Sequence, residues 1–327
     1  MSEGMVWVGF VLALAPIEGA DKIESATAVC GRGGKWMGVV PKGQFREGDP
    51  CFVYLPDSIV PQSPDLAFME KYKWRVRVMR FRGTPSECLI MPLTVAGSVG
   101  DDVTRMLGVT KYEKPLPAGF KTEIVGKFPY WIPKTDEPHF QSVPEMLDAL
   151  RGKPWYATIK YDGMSTTAYK KDGHFGLCSR NWEMKPADNN VMWQLARRYK
   201  VEEVLPEGYA IQWETFGPAI QGNPLGITKP DMRVFNVWDI SNARYLDYAE
   251  GLMLCDDMGL PFVEECARGK SFDMNADDLR AMSVGVYPNG EQREGIVIRP
   301  MDEITVMLGS QPARCSCKVV NPLYRED

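Results

Sequence analysis

The chain has only two histidines, His139 and His174, and no Cys-x-x-Cys, too few paired donors for a structural zinc site of the usual cysteine and histidine type. Its eight cysteines run from Cys30 to Cys317, and only Cys315 and Cys317 lie close together. That spacing excludes a compact disulfide framework and predicts reduced thiols in a cytosolic protein. No stretch approaches the ~20 apolar residues of a membrane span. The longest apolar run, "GMVWVGFVLALAP", ends like a signal-peptide cleavage site but follows an acidic "MSEG" with no Lys or Arg. A secretory signal needs a positive start, so the run predicts a buried first strand in a protein that is not secreted and resides in the cytoplasm, nucleus or a host cytosol. Positive charge is not in excess either: 38 Lys and Arg against 43 Asp and Glu give a net charge of −5. Any nucleic-acid contact must therefore use a local patch. There is no internal repeat and no low-complexity tract.

What is present is an ordinary globular composition, 44% hydrophobic and 25% charged, over 327 residues, enough for two domains. From Met5 to about Gly97 short apolar or alternating runs, "VWVGFVLALAPI", "SATAVCG", "KWMGVVPKG", "PCFVYLPD", "WRVRVMRF" and "ECLIMPL", are separated by Gly, Pro and Asp turns, with no convincing helix. This predicts a small closed barrel of the OB type over 1–97. Within it, "KYKWRVRVMRFRG" alternates Lys73, Arg75 and Arg77 with apolar residues and adds Arg80 and Arg82, which predicts a strand with one basic face. Residues 98–135 read as a connector. The remainder, 136–327, reads as α+β with mostly antiparallel strands. Its first helix is expected in "SVPEMLDALRG", capped by Ser142 with Glu145 three residues on and closed by Gly152. Two further helices are expected in "NNVMWQLARRYKVEEVL" and "YAEGLMLCDDMG".

The chemistry centres on "ATIKYDGMSTTAYKK", where a β-branched run delivers Lys160 to a tight turn at Tyr161, Asp162 and Gly163. A lysine is a nucleophile only when its amine is partly neutral, which requires burial or a neighbouring cation. Arg180, in "CSRNWE", ends a later strand, where its guanidinium fork suits phosphate or ribose. Glu214 in "IQWETFG" and Glu294 in "REGIVIRP" sit among apolar residues, where a carboxylate is costly unless a cation meets it. Together with Asp162 they suit Mg2+ or Mn2+, held directly or through water. Lys318, in "CSCKVVN", supplies a second cation for a phosphate. Singly, each carboxylate also fits an ion pair, and the basic stretch a solvated sheet face.

In this order, K-x-D-G, S-R-N, E-x-F-G, Trp-Asp-Ile, E-G-I-V-I-R and K-V-V-N resemble the covalent nucleotidyltransferases, the superfamily of polynucleotide ligases and capping enzymes. The RNA ligase branch is the nearest. "PIEGADKIESA", "VPKGQFREGD", "LPDSIVP", "LGVTKYEKP" and "FPYWIPKTDE" narrow the likeness to RNA ligases of the RNA ligase 5 type, which carry an N-terminal OB domain and seal nicks in duplexes. The likeness covers nearly the whole chain. It implies an OB barrel over 1–97 and an adenylyltransferase domain of ATP-grasp-like ligase fold over 136–327, acting as a monomer on RNA ends with ATP and Mg2+ or Mn2+.

By the same resemblance, Lys160 attacks the α-phosphate of ATP, Arg180 contacts the sugar and Glu214 the ribose. Thr158 and Ile159 line the nucleotide, and Trp238 meets the adenine. Asp162, Glu214 and Glu294 serve the catalytic cation, and Lys318 binds the α-phosphate. In the OB domain, Asp57 serves a second metal while Arg77 and Arg82 serve the departing pyrophosphate. The chain departs from the family pattern at three places. Ile159 stands where a glutamate commonly meets the adenine amino group, which loosens nucleotide selection. His139 stands where an arginine commonly helps hold pyrophosphate. Ser316 stands at the first position of a K-x-K pair seen outside this branch, leaving Lys318 with Arg314 nearby. A capping guanylyltransferase or DNA ligase shares the K-x-D-G core but usually places its OB domain after the catalytic one. A ligase-derived RNA-binding protein would lack one of the retained Lys160, Glu214, Glu294 and Lys318.

Overall fold

The structure, a computed structural model, describes residues 4–31, 34–112, 123–308 and 311–324. The chain divides into two compact units, residues 1–115 with 140–144, and residues 116–139 with 145–327.

In the first unit one antiparallel sheet runs in the order Gly34–Pro41, Ile23–Cys30, Val6–Pro16, Pro50–Tyr54, Leu89–Pro92. It curls until its edges meet: the Glu87 amide donates to the Met37 carbonyl at 2.7 Å and the Val39 amide to Ser86 Oγ at 3.1 Å. The result is the small OB barrel expected from the spacing of short strands. Val6–Pro16 is apolar nearly throughout because both its faces are covered. Val11 packs inside with Trp36, Cys51 and Val53, while Val6 and Val8 lie under Leu66, Met69 and Val103. All eight cysteines are free thiols, seven of them buried, and burial pushes Cys30 and Cys51 up to about 12. They behave as small apolar side chains.

Three expectations for local structure fail. The first unit does contain helix, a 3₁₀ segment at Pro64–Tyr72. The basic stretch after it is a strand only at Met79–Phe81, which pairs with Thr84–Ser86. Lys73 and Trp74 both adopt left-handed backbone angles, φ 55° and 60°, and between Lys73 and Arg77 Arg75 makes an isolated bridge, to Ile59. Alternation of side chains needs consecutive extended residues, and two left-handed residues destroy it. Ser142 ends a 3₁₀ turn, Phe140–Ser142, and the α-helix runs Pro144–Leu150, as expected of a proline that fits a helix's first turn. Much of the stretch expected as a connector belongs to the first unit. The Val103 amide donates to the Val6 carbonyl at 3.0 Å, and Thr110–Lys111 pairs with Ser58–Ile59.

The second unit contains two main sheets. Seven strands run in the order Ile124–Lys127, Trp182–Met184, His174–Cys178, Met164–Lys171, Tyr209–Phe216, Asp231–Asp239, Arg244–Tyr245. Four run in the order Glu265–Gly269, Trp155–Lys160, Gly295–Pro300, Cys317–Val320. Ile211, Trp213, Met232 and Val234 of the larger sheet pack with Met192, Trp193 and Leu195 of the helix Val191–Arg198. The Asn190 side chain caps that helix by accepting from the Met192 and Trp193 amides. The single helix expected from 189 to 205 is two, because Lys200 is left-handed, φ 51°, between Val191–Arg198 and Val201–Val204.

The two sheets are tied by a buried ionic network. The Arg299 side chain, fully buried, donates to Glu137 Oε1, Ser316 Oγ and the Phe235 carbonyl, each at 2.8 Å. Arg314 donates to Asn236 Oδ1 at 2.6 Å, stacks on Tyr245 and pairs with Glu303. Burial raises the Glu137 pKa, but Arg299 and Arg314 outweigh it and the net direction is downward. A depressed carboxylate stabilises the fold above its unfolded pKa and loses that contribution as pH falls. Glu137→Ala leaves Arg299 short of its counter-charge, and a loss of ~3–5 kcal/mol is expected in denaturant unfolding near neutral pH. A variant as stable as the parent would contradict this role.

Candidate active site

The turn after Trp155–Lys160 is set by close backbone approach. A Cβ on Gly163 would lie 2.4 Å from the Thr215 carbonyl oxygen and 3.0 Å from Glu214 Cγ, so glycine alone lets the strand Tyr209–Phe216 pass beside the turn. Gly295 is equally constrained, since a Cβ there would meet the Val319 carbonyl oxygen at 2.2 Å. Lys160 pairs across the sheet with Gly295, which places Glu294 next to the lysine.

Lys160 Nζ donates to Glu294 Oε1 at 2.5 Å, with the two side chains only 23% and 18% exposed. Burial alone depresses the amine's pKa, as a nucleophile requires. Glu294, Glu214 and Asp162 more than reverse it, and the net direction is upward. These residues by themselves favour the charged ammonium, so the burial expected from an apolar strand end does not on its own make the amine neutral. The carboxyl groups are shifted upward as well, toward their neutral forms. Burial pushes Glu214 up to about 8, with Lys160 pulling it down, Glu294 and Asp162 adding to the rise, and the Gly163 amide opposing it. Glu294 is also raised, by burial and by Asp162, against the pull of Lys160 and Lys318. Three carboxyl groups face two lysines, and their crowding is part of what raises Glu214 and Glu294.

Glu294 Oε2 is buried and has no hydrogen-bond partner among the described residues. An orphaned carboxylate oxygen among crowded carboxyl groups fits a hard divalent cation, whose charge would favour their ionised forms. Among the described residues no three histidine, cysteine or acidic side chains converge as a closed chelating set.

A tyrosine that sequence reasoning missed stands under the cluster. Tyr287, fully buried, contacts the Lys160 carbonyl and the Asp162 and Glu294 amides through its hydroxyl. The hydroxyl of Tyr324 donates to Asp162 Oδ2. Neither residue lies in a recognisable motif, and no pattern in the chain marks them. Tyr161 stacks on Phe216 at 4.7 Å and donates to Glu264 Oε2 at 2.6 Å.

The other expected residues are placed as follows. The Lys318 amide donates to the Pro138 carbonyl at 2.9 Å, and His139 bridges to Lys318 in parallel, so the two positions are adjacent. Arg180 is exposed and paired with Asp136 at 2.7 Å. Thr158 is buried, and Ile159 packs against the cluster of Tyr161, Phe216 and Tyr287. Trp238 is held elsewhere. Opposite Ala210, its indole N–H donates to the Trp131 carbonyl at 3.2 Å and it packs with Phe128, Ile132 and Tyr169. The register shift between Gln212 and Trp213 leaves Phe235 without a cross-strand partner, and Phe235 packs against the same cluster as Ile159. In the first unit, Asp57 accepts from Arg75 Nη2 at 2.5 Å and Nε at 2.9 Å, a pairing that the basic pattern did not single out. Arg77 Nε is buried without a partner among the described residues, and Arg82 is exposed with φ 50°.

A family model described as RNA ligase matches residues 153–320, and an OB-fold domain model matches residues 5–93. No curated protein matches the chain. Among solved structures, a ligand-free mutant of Naegleria gruberi RNA ligase is 30% identical and covers 98% of this chain and 96% of its own, with a TM-score of 0.82. A mutant of the same enzyme with ATP and Mn is 30% identical over 97% of each chain, with a TM-score of 0.82. Another with AMP and Mn is 31% identical over 98% and 97%, again with a TM-score of 0.82.

The raised Glu214 pKa has a consequence for stability. The folded protein holds a proton on Glu214 at pH values where the unfolded chain has released it. That contribution is complete below the ordinary value of 4.5 and is lost as pH rises through about 8. Without ligands, the wild-type melting temperature is expected to fall more than that of Glu214→Gln between pH 5 and 9, by ~2–4 °C for each ~1 kcal/mol. Equal pH slopes in a thermal melt would contradict this reading.

Proposed function

Since this chain belongs to the RNA ligase family, we propose that it is an ATP-dependent ligase joining RNA 3′-hydroxyl and 5′-phosphate ends at nicks in duplexes, through an adenylylated Lys160. The single observation that carries the reading is the burial of Lys160 against Glu294, with Glu214 and Asp162 in electrostatic reach. The most buried ion pairs elsewhere among the described residues use arginine, as at Arg299 with Glu137 and Arg314 with Glu303. A lysine so placed has a compact amine whose charge state its surroundings control.

In the first step Lys160 Nζ attacks the α-phosphorus of ATP, the bond to the β-phosphate oxygen breaks, and pyrophosphate leaves. Glu294, already hydrogen-bonded to Nζ, takes the amine's proton. Lys318 neutralises charge on the α-phosphate. In the second step an oxygen of the RNA 5′-phosphate attacks the lysine-bound phosphorus, the N–P bond breaks and Lys160 regains its proton. In the third the 3′-hydroxyl attacks that 5′-phosphate, and AMP departs. All three displacements transfer a phosphorus centre past one set of charges, so positioning and neutralisation are the protein's main contribution. Asp162, Glu214 and Glu294 would hold Mg2+ or Mn2+, and the solved relatives with ATP and Mn support that choice. Such a cation, when bound, offsets the carboxylates that keep Lys160 charged and favours its neutral amine. With Ile159 ahead of the nucleophile, selection of adenine over guanine falls to the walls around it, Phe235 included. In the first unit Asp57, Arg77 and Arg82 are assigned to a second metal and pyrophosphate, as the family pattern implies. His139, adjacent to Lys318, is assigned to pyrophosphate as well.

Intact-protein mass spectrometry is expected to show one added AMP after incubation with ATP and Mn2+ or Mg2+, and none in Lys160→Ala. Parallel incubations with GTP and NAD separate a ligase from a capping enzyme. Absence of the adduct with every divalent ion overturns the proposal. Nick sealing is read on matched RNA and DNA duplexes, where the RNA 3′-hydroxyl strand is expected to be required.

A further inference from the structure

The K-x-D-G turn, which carries Lys160 and Asp162, and Glu294 come from two stretches of chain far apart in sequence, yet one buried hydroxyl holds them together. Tyr287 Oη donates to the Lys160 carbonyl at 3.1 Å and accepts from the Asp162 amide at 3.2 Å and the Glu294 amide at 3.3 Å. A phenol offers one donor and two acceptor lone pairs, so these three bonds fill its capacity. The ring is fixed independently of the hydroxyl. It is 1% exposed and stacks on Tyr161 at 5.7 Å, and Tyr161 in turn stacks on Phe216. Its backbone is fixed as well, because Tyr287 opens a turn in which its amide donates to the Glu291 carbonyl at 2.8 Å and its carbonyl accepts from the Gly290 amide at 2.9 Å.

We propose that Tyr287 is a positioning residue for the first step, its hydroxyl clamping the backbones of Lys160, Asp162 and Glu294 so that the amine and its carboxylate stay in register for attack on ATP. This rests on the ligase reading. It goes beyond it by assigning catalytic geometry to a residue outside every nucleotidyltransferase motif in the chain. Among the described residues the hydroxyl's hydrogen bonds go to main-chain groups alone, so its effect is expected on alignment and not on ATP binding. Displacements well under the length of a bond are costly in an in-line transfer, because reacting atoms must meet at a fixed distance and angle. Three loosened backbone groups around one nucleophile supply such displacements.

The test is Tyr287→Phe, which keeps the ring stack and removes only the oxygen, alongside Tyr287→Leu, which removes both. In single-turnover adduct formation, Tyr287→Phe is expected to lower the rate at saturating ATP by about 10- to 100-fold while the ATP concentration for half-maximal rate stays within about threefold. A purely structural role would lower the fraction of protein that forms adduct without changing the rate of that fraction. Hydrogen-exchange mass spectrometry on peptides covering Asp162 and Glu294 is expected to show faster amide exchange there in Tyr287→Phe, with the seven-stranded sheet unchanged. A wild-type rate in Tyr287→Phe, or a loss confined to ATP affinity or to the active fraction, overturns the proposal even if Tyr287→Leu fails to fold. If the wild-type protein itself forms no adduct, the ligase reading fails and the positioning role with it, while the exchange measurement still reports whether the hydroxyl braces the turn.

Discussion

The contact between Lys160 and Glu294 is the constraint to which the second unit is built. An ammonium and a carboxylate in a shielded place attract strongly, and each shifts the other's proton affinity. With Glu214 and Asp162 added, the attraction exceeds the cost of burying the amine, so these residues by themselves favour the charged form of Lys160. Crowded carboxyl groups and an unpartnered buried carboxylate oxygen leave that balance open to a hard cation.

Holding that balance requires a rigid frame on each side. Below the lysine, glycines at 163 and 295 allow backbones to approach within distances that any Cβ would forbid, which draws Glu214 and Glu294 inward. Behind it, the Arg299 and Glu137 network joins the four-stranded sheet to the seven-stranded one and occupies the polar space between them. Replacing such a network by apolar side chains is often tolerated for stability, so its retention here accords with fixing the relative placement of the sheets. Asn321 performs a similar duty at the chain's end, donating to the Arg293 carbonyl at 2.8 Å and anchoring the turn that presents Tyr324 to Asp162.

Residues that act through side-chain chemistry were legible one by one, because a carboxylate or lysine inside an apolar run is conspicuous against its neighbours. Lys160, Glu214, Glu294 and Asp162 are of this kind, and the structure brings them together. Residues that act through geometry were not. Tyr287 lies in an unremarkable loop, and its use of three backbone groups depends on strands and turns distant in the chain. Trp238 and Phe235 pack against different clusters on either side of a one-residue shift of register, which alternation cannot foresee. Lys73 to Arg77 looked like a strand because charges alternated, but alternation describes a strand only where the backbone is extended.

By itself the amino-acid order determined the class of fold and singled out Lys160 and the acidic residues near it, since these follow from local hydrophobic spacing and from which side chains carry charge. Only the tertiary structure decided the protonation of Lys160, the partner of Asp57, the location of Trp238 and the three-way contact of Tyr287. Each of these depends on distances between segments far apart in the chain. Charge interaction and hydrogen bonding fall off over a few ångströms, and such distances exist only once the sheets have packed.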